Sequence, residues 1–369
     1  MTDNLATTDR TAQSLNVSGK ARDFSRLTEF PELRDLRVYR VAPEHLPVIS
    51  RISSLRTLTM LHVRAGNLAP LSSLKQLENL SIDDSAELTD LRVLGELPAL
   101  KNLSLIHLRA LNTLNHVPLA HGLTGLFVAG AMWTDMRVAT LDPIARLPQL
   151  ATFRMVSARV GDGSLRPLGD VATLRDVGLP NYFALAEFAY LAAALARGAG
   201  PCCTPFHHKA RLTEWTETGV CRRCWKYTGV MTIGQPRKTL CPVCDKARLD
   251  NHVAKWRDLV EEARTEFAAR GRDVDRAPLD ENPIESWNGA RRELTDNERV
   301  MLELVHKVRG AHNSLDHIVF EASGHAGLMV RTENGAEPVF LRFTLADSMA
   351  KGLVSREAVL RYIAGPKAS

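Results

Sequence analysis

The chain has 369 residues, 45% of them hydrophobic and 24% charged. That balance suits two or three ordinary globular domains, and six cysteines are too few for a disulfide scaffold. A net charge of +5 is compatible with a nucleic-acid partner without demanding one.

Residues 1–20 are polar and lack the apolar stretch of a secretory leader. The longest apolar run, Phe183 to Ala196, is interrupted by Glu187 and too short to span a bilayer. The expectation is a cytoplasmic protein with no membrane insertion, in a reducing compartment where cysteine pairs bind metal rather than each other.

Internal repeats dominate the first half. Segments opening at Leu33, Leu55, Leu77, Leu100, Leu123, Leu150 and Leu174 follow at intervals of 22, 22, 23, 23, 27 and 24 residues. They read LRDLRV, LRTLTM, LENLSI, LKNLSL, LTGLFV, LATFRM and LRDVGL, an L-x-x-L-x-L pattern with apolar replacements. In a strand, alternate side chains face opposite sides, so Leu36 and Val38 point inward while Arg37 and Tyr39 point out. Between strands the apolar spacing becomes three, as in Leu68, Leu71, Leu74 and Leu77, which predicts helical or 3₁₀ return segments. One such unit cannot bury its own leucines, but a stack can.

These seven phased segments resemble the leucine-rich repeat family, of bacterial type, over residues 24 to 196. The resemblance implies an α/β fold, a solenoid with a curved parallel sheet whose concave face binds a protein or peptide. Family members often carry Asn or Cys three residues after the last leucine. Here that place holds Val41, Val63, Ser85, Leu108, Ala131, Ala158 and Tyr182, so the turn must be satisfied otherwise. Residues 1–30 are expected to form an N-terminal cap region around Leu15, Val17, Phe24, Leu27 and Phe30, and residues 31–198 the solenoid. The 27-residue repeat contains AMWTDM and should carry a bulging loop. FALAEFAYLAAALARGAG predicts a closing helix that stops at Gly198 and Gly200. The outward strand residues of this register are Arg37, Tyr39, Arg40, Leu61, His62, Asp83, Asp84, Ile106, His107, Phe127, Arg154 and Val156. Their aromatic, Arg and apolar members suit a partner-binding face, and His62 and His107 read as surface residues rather than a metal or catalytic set.

Cys221, Cys224, Cys241 and Cys244 form C-x₂-C-x₁₆-C-x₂-C. That spacing matches a four-thiolate Zn²⁺ site, closed and therefore structural. Two short strands joined at Gly234 to Pro236 should bring the knuckles together. The segment, residues 199–250, looks like a zinc ribbon. Upstream, PCCTPFHHK offers Cys202, Cys203, His207 and His208, either as a second metal site or as a loop with reduced thiols. Trp215, Trp225 and Tyr227 lie among basic residues, so nucleic-acid binding through the ribbon is the alternative function.

Residues 251–270 continue as an amphipathic helix. Its seam, Leu249, Val253, Trp256, Val260, Ala263 and Phe267, has heptad spacing, for docking within the chain or for a dimer. Residues 271–294 read as a linker and residues 295–369 as a small α+β unit. The latter has a capping box at Thr295 and Glu298, three strands, a turn at Asn334–Gly335 and a last helix near residues 355–364. Asp316, His317, Ser323 and His325 match no catalytic spacing. The expectation is a binding protein rather than an enzyme.

Overall fold

The computed structural model describes residues 5–195, 200–208 and 230–272, and the strands β14 (Leu315–Phe320), β15 (Ala326–Val330) and β16 (Val339–Arg342). The chain divides into two compact units. One comprises Met1–Pro205, Ile233–Pro236 and Lys255–Ala277; the other comprises Phe206–Thr232, Arg237–Ala254 and Pro278–Ser369.

The first unit is built on an eight-stranded parallel sheet in the order β1-β2-β3-β4-β5-β6-β8-β10. Its strands are β1 (Ser14–Ser18), β2 (Asp35–Tyr39), β3 (Thr57–Leu61), β4 (Asn79–Ser85), β5 (Asn102–Leu108), β6 (Gly125–Ala129), β8 (Thr152–Val156) and β10 (Asp176–Gly178). The repeats pair in phase: Leu36 opposes Leu58, Leu58 opposes Leu80, then Leu103, Leu126 and Phe153 continue the column. All six side chains are buried. The return segments are mostly 3₁₀ turns, such as Ala69–Ser73, Arg92–Glu96 and Asp142–Arg146. Single helical turns, α1 (Leu46–Ile49) and α2 (Arg166–Gly169), serve in two coils. A 3₁₀ turn repeats every three residues, so Leu68, Leu71, Leu74 and Leu77 all reach the core and are fully buried. Each such leucine contributes about 2 kcal/mol of apolar burial. The sheet begins at β1, so the expected cap region already supplies a complete strand.

At the position where the resemblance leads one to expect an Asn ladder, this chain uses its backbone. Arg40, His62, Asp84, His107 and Ser157 each lie at or within one residue of a strand's end, with φ between 45° and 61°, the left-handed region that Asp and His tolerate better than most. Arg40 N–H donates to Leu61 O at 2.7 Å and His62 N–H to Asp83 O at 2.8 Å. Arg64 N–H reaches Val41 O and Arg109 N–H reaches Ser85 O, both at 2.8 Å. One coil adds a side chain: the buried Ser85 hydroxyl donates to Val63 O at 2.7 Å and accepts from Leu88 N–H at 3.1 Å. Ser85→Ala leaves both groups without that partner, so a loss of about 1–3 kcal/mol is expected in urea unfolding.

The expected bulge lies at residues 130–135, after β6. It leads into β7 (Met136–Val138), which pairs in parallel with β9 (Ala158–Val160). The closing helix α3 (Leu185–Ala194) packs Phe188, Ala189 and Leu191 inward. It ends earlier than the glycines suggested, because Leu195 turns extended (φ −97°, ψ 153°). Gly198 lies outside the described residues.

The helix α4 (Lys246–Ala269) starts inside the segment assigned to the ribbon. Its entire seam from Leu249 to Phe267 is buried. In the first unit the Phe267 ring lies 4.7 Å from that of Tyr190, and the Arg166 guanidinium pairs with Glu266 at 2.9 Å. In the second unit Leu249 and Val253 join Phe206, Val230 and Leu240. The seam is thus used within this chain rather than for a dimer.

The second unit has two antiparallel three-stranded sheets, β11-β12-β13 and β14-β15-β16. β12 (Val230–Thr232) and β13 (Thr239–Leu240) are the hairpin expected between the cysteine pairs, and β11 (Phe206–His208) is a third strand where the sequence offers a metal site or a loop. β14, β15 and β16 match the three strands expected near the C-terminus. The helices expected at Thr295–Arg309 and residues 355–364, and the Asn334–Gly335 turn, lie outside the described residues.

Candidate functional site

The in-phase register sorts the outward side chains into three rows. The first row, at the start of the strands, is tied together: Asn102 Nδ2 donates to Asn79 Oδ1 at 2.8 Å, and Asn79 Nδ2 to Thr57 Oγ1 at 3.2 Å. Gly125 ends this ladder, since a Cβ there would collide with the Asn102 carboxamide oxygen. The middle row runs Arg37, Thr59, Ser81, Ser104, Phe127, Arg154. Three small residues make a shallow floor between Arg37 and Phe127. Four strand spacings of about 4.8 Å make that floor ~19 Å long, room for an extended peptide. The third row is Tyr39, Leu61, Asp83, Ile106, Ala129 and Val156. The Arg37 guanidinium sits over the Tyr39 ring, 5.4 Å from its centre. Arg154 pairs with Asp176 at 2.7 Å, and Val156 is 53% exposed.

Arg40, His62 and His107 lie at or next to the ends of their strands, each with a left-handed backbone. The left-handed residue breaks the strand's alternation there. His62 and His107 share one carboxylate. Asp84 stands between them, with His62 Nδ1 2.6 Å from Oδ2 and His107 Nδ1 3.2 Å from Oδ1. The bond from His62 chiefly holds the Asp84 carboxyl below its ordinary pKa. Burial, then the neighbouring Asp84 charge, pushes Asp83 the other way. The arrangement is a cluster of two imidazoles on one carboxylate. Among the described residues no group of three His, Cys, Asp or Glu is placed to hold a metal. The signal was the 22- and 23-residue spacing of His62, Asp84 and His107, which stacks them on adjacent coils.

Of the four expected metal ligands, Cys221 and Cys224 lie outside the described residues. Cys241 directly follows β13 and is buried. Cys244 N–H points at Cys241 Sγ at 3.5 Å, and Asp245 Oδ2 accepts the Cys241 N–H at 3.0 Å. A backbone N–H aimed at sulfur stabilises a thiolate, so this turn fits one half of a tetrathiolate metal site. Upstream, Cys202 Sγ donates to Val177 O at 3.4 Å. The Cys203 thiol is pushed well up by its hydrogen bond with Cys202 and by burial, which keeps it protonated and unreactive near neutral pH. On β11, both His207 ring nitrogens are buried without a hydrogen-bond partner among the described residues, and burial lowers that imidazole's pKa.

No protein-family model and no curated protein matches the chain. Solved structures do. Its first unit is a stack of parallel, leucine-lined coils. The chain is similar to an internalin, InlF, of Listeria monocytogenes at 16% identity and a TM-score of 0.35, over 50% of this chain and 52% of that one. It is similar to internalin C2 of the same organism at 16% and 0.34, over 47% and 71%. The plant peptide hormone receptor RGFR1, in complex with RGF2, gives 15% and 0.31, over 47% and 32%. The chain therefore spans about half the length of InlF.

Proposed function

We propose that this leucine-rich repeat chain is a scaffold protein that binds a protein or peptide partner on the concave face of its solenoid. The observation that carries this reading is the middle and third rows. A small-residue floor is flanked by Arg37, Tyr39, Phe127 and Arg154, all held on a hydrogen-bonded ladder that needs little ordering on binding. Arg and Tyr are the side chains that most often dominate interfaces. Arg37→Ala, Tyr39→Ala and Arg154→Ala together should weaken a partner captured from lysate at least tenfold while leaving the melting temperature unchanged. Partners indifferent to the triple change would remove the concave face from consideration.

The same reading gives the second unit a structural Zn²⁺ held by Cys221, Cys224, Cys241 and Cys244. It is supported by the knuckle geometry at Cys241 and by the β12–β13 hairpin between the two pairs. Four thiolates leave no open coordination position, so the metal would hold the fold and would not activate water.

A further inference from the structure

At the middle of the sheet the two outward rows hold one unpartnered charge. In the third row Asp83 of β4 is opposed by Leu61 on one side and by Ile106 on the other, and all three are half-buried. Ser81, two residues earlier on the same strand, lies in the middle row between Thr59 and Ser104. Among the described residues no hydrogen bond or ion pair engages the Asp83 carboxylate, and none engages the hydroxyls of Thr59, Ser81 or Ser104. A carboxylate drawn partly out of water between two aliphatic side chains loses hydration that nothing here replaces. Its acidity shows the effect: burial, ahead of the neighbouring Asp84 charge, pushes the Asp83 pKa up.

The groups that act on Asp83 with the opposite sign are His62, His107 and Arg37, and each is engaged by something else. Both imidazoles lie on Asp84, and the Arg37 guanidinium sits over the Tyr39 ring. Arg37 is also two strands away, about 10 Å by strand spacing alone, which is one Debye length at about 0.1 M salt. Farther along the middle row, Arg154 is paired with Asp176 at 2.7 Å. Asp83 is thus the one charged side chain of the two rows that has no partner among the described residues.

From this we infer that the sheet face receives a Lys or Arg side chain of the partner peptide at Asp83, next to an apolar residue that packs on Leu61 or Ile106. The inference rests on the proposed concave-face role and names the chemistry of the peptide. A guanidinium or ammonium carries more N–H groups than one carboxylate satisfies, and the Ser81 and Ser104 hydroxyls lie in the adjoining row as further acceptors. A charge pair closed off from water by aliphatic neighbours is the kind whose truncation weakens binding most; exposed pairs such as Arg154–Asp176 contribute little.

The test is selection from a random phage-displayed peptide library on the full chain, followed by titration of the enriched peptides. The inference predicts that they share a Lys or Arg with a large apolar residue close to it in sequence. Replacing that base by norleucine in the peptide should weaken binding about tenfold or more, and so should Asp83→Asn in the protein. The two changes together should weaken it little more than either alone, because they remove one and the same contact. Asp83→Asn keeps the size of the side chain, and the norleucine peptide leaves the protein untouched, so a folding defect cannot imitate this pattern. Enriched peptides without a base overturn the inference, as do losses from the two changes that simply add. Enrichment of no peptide also overturns it, while capture from lysate still decides the concave-face reading. Binding that survives Asp83→Asn but is abolished by Arg37→Ala, Tyr39→Ala and Arg154→Ala together overturns the inference and keeps the concave face.

Discussion

Stripping the proposed zinc is expected to melt the β11-β12-β13 sheet while the leucine coils stay folded. That sheet has strands of three, three and two residues. Its described apolar cluster holds only Phe206, Val230, Leu240, Leu249 and Val253, and a core so small seldom pays for the order it requires. Structural zinc supplies on the order of 10–16 kcal/mol in comparable small modules, so the proposed ion would outweigh any single side chain of this sheet. A chelator titration followed by amide exchange should show Val230 and Thr232 losing protection while Leu58 and Leu105 keep theirs. Cys241→Ser should do the same without chelator. Metal analysis should return one zinc per chain. Unchanged exchange at Val230 after complete metal removal would show that the sheet stands on its own packing.

Phe153→Ala should cost about 3–5 kcal/mol. The ring is fully buried in the leucine column, opposite Leu126 on one side and Val177 on the other. Each coil packs mainly on its neighbours, so the damage should spread from β8 to β6 and β10 before it reaches β2. Lys75→Ala is the control. Lys75 lies 3.3 Å from Glu96 on an exposed return segment, and such pairs contribute about 0–1 kcal/mol. Urea unfolding with site-resolved exchange reads both. A loss below about 1 kcal/mol at Phe153 would mean that the stack does not depend on its columns.

The solenoid was legible because two local rules repeat in phase. Alternation made Leu36 and Val38 inward and Arg37 outward, and spacing of three marked Leu68 to Leu77 as a return segment. Both are set by neighbours in sequence. Reading failed where geometry departs from those rules. Arg40, His62 and His107 each directly follow another outward residue, which alternation alone does not allow; the backbone there is left-handed. The pairing of His62 and His107 with Asp84 joins three coils, so no single segment displays it. β11 was missed because Phe206 to His208 gains its strand character from β12, more than twenty residues on. The end of α3 was placed at glycines, yet Leu195 already leaves the helix. The bulge at AMWTDM was visible as extra length, but its anchoring depends on Ser157 and Arg159 of the next coil.

The central claim is that the sheet side of the solenoid, and not the return-segment side, meets the partner. A photo-crosslinking amino acid placed at Phe127, in the middle row, and separately at Lys75, on a return segment, tests it directly. Irradiation in cells should trap a discrete adduct from position 127 and none from position 75. Adducts from position 75 alone, or equal adducts from both, would contradict it.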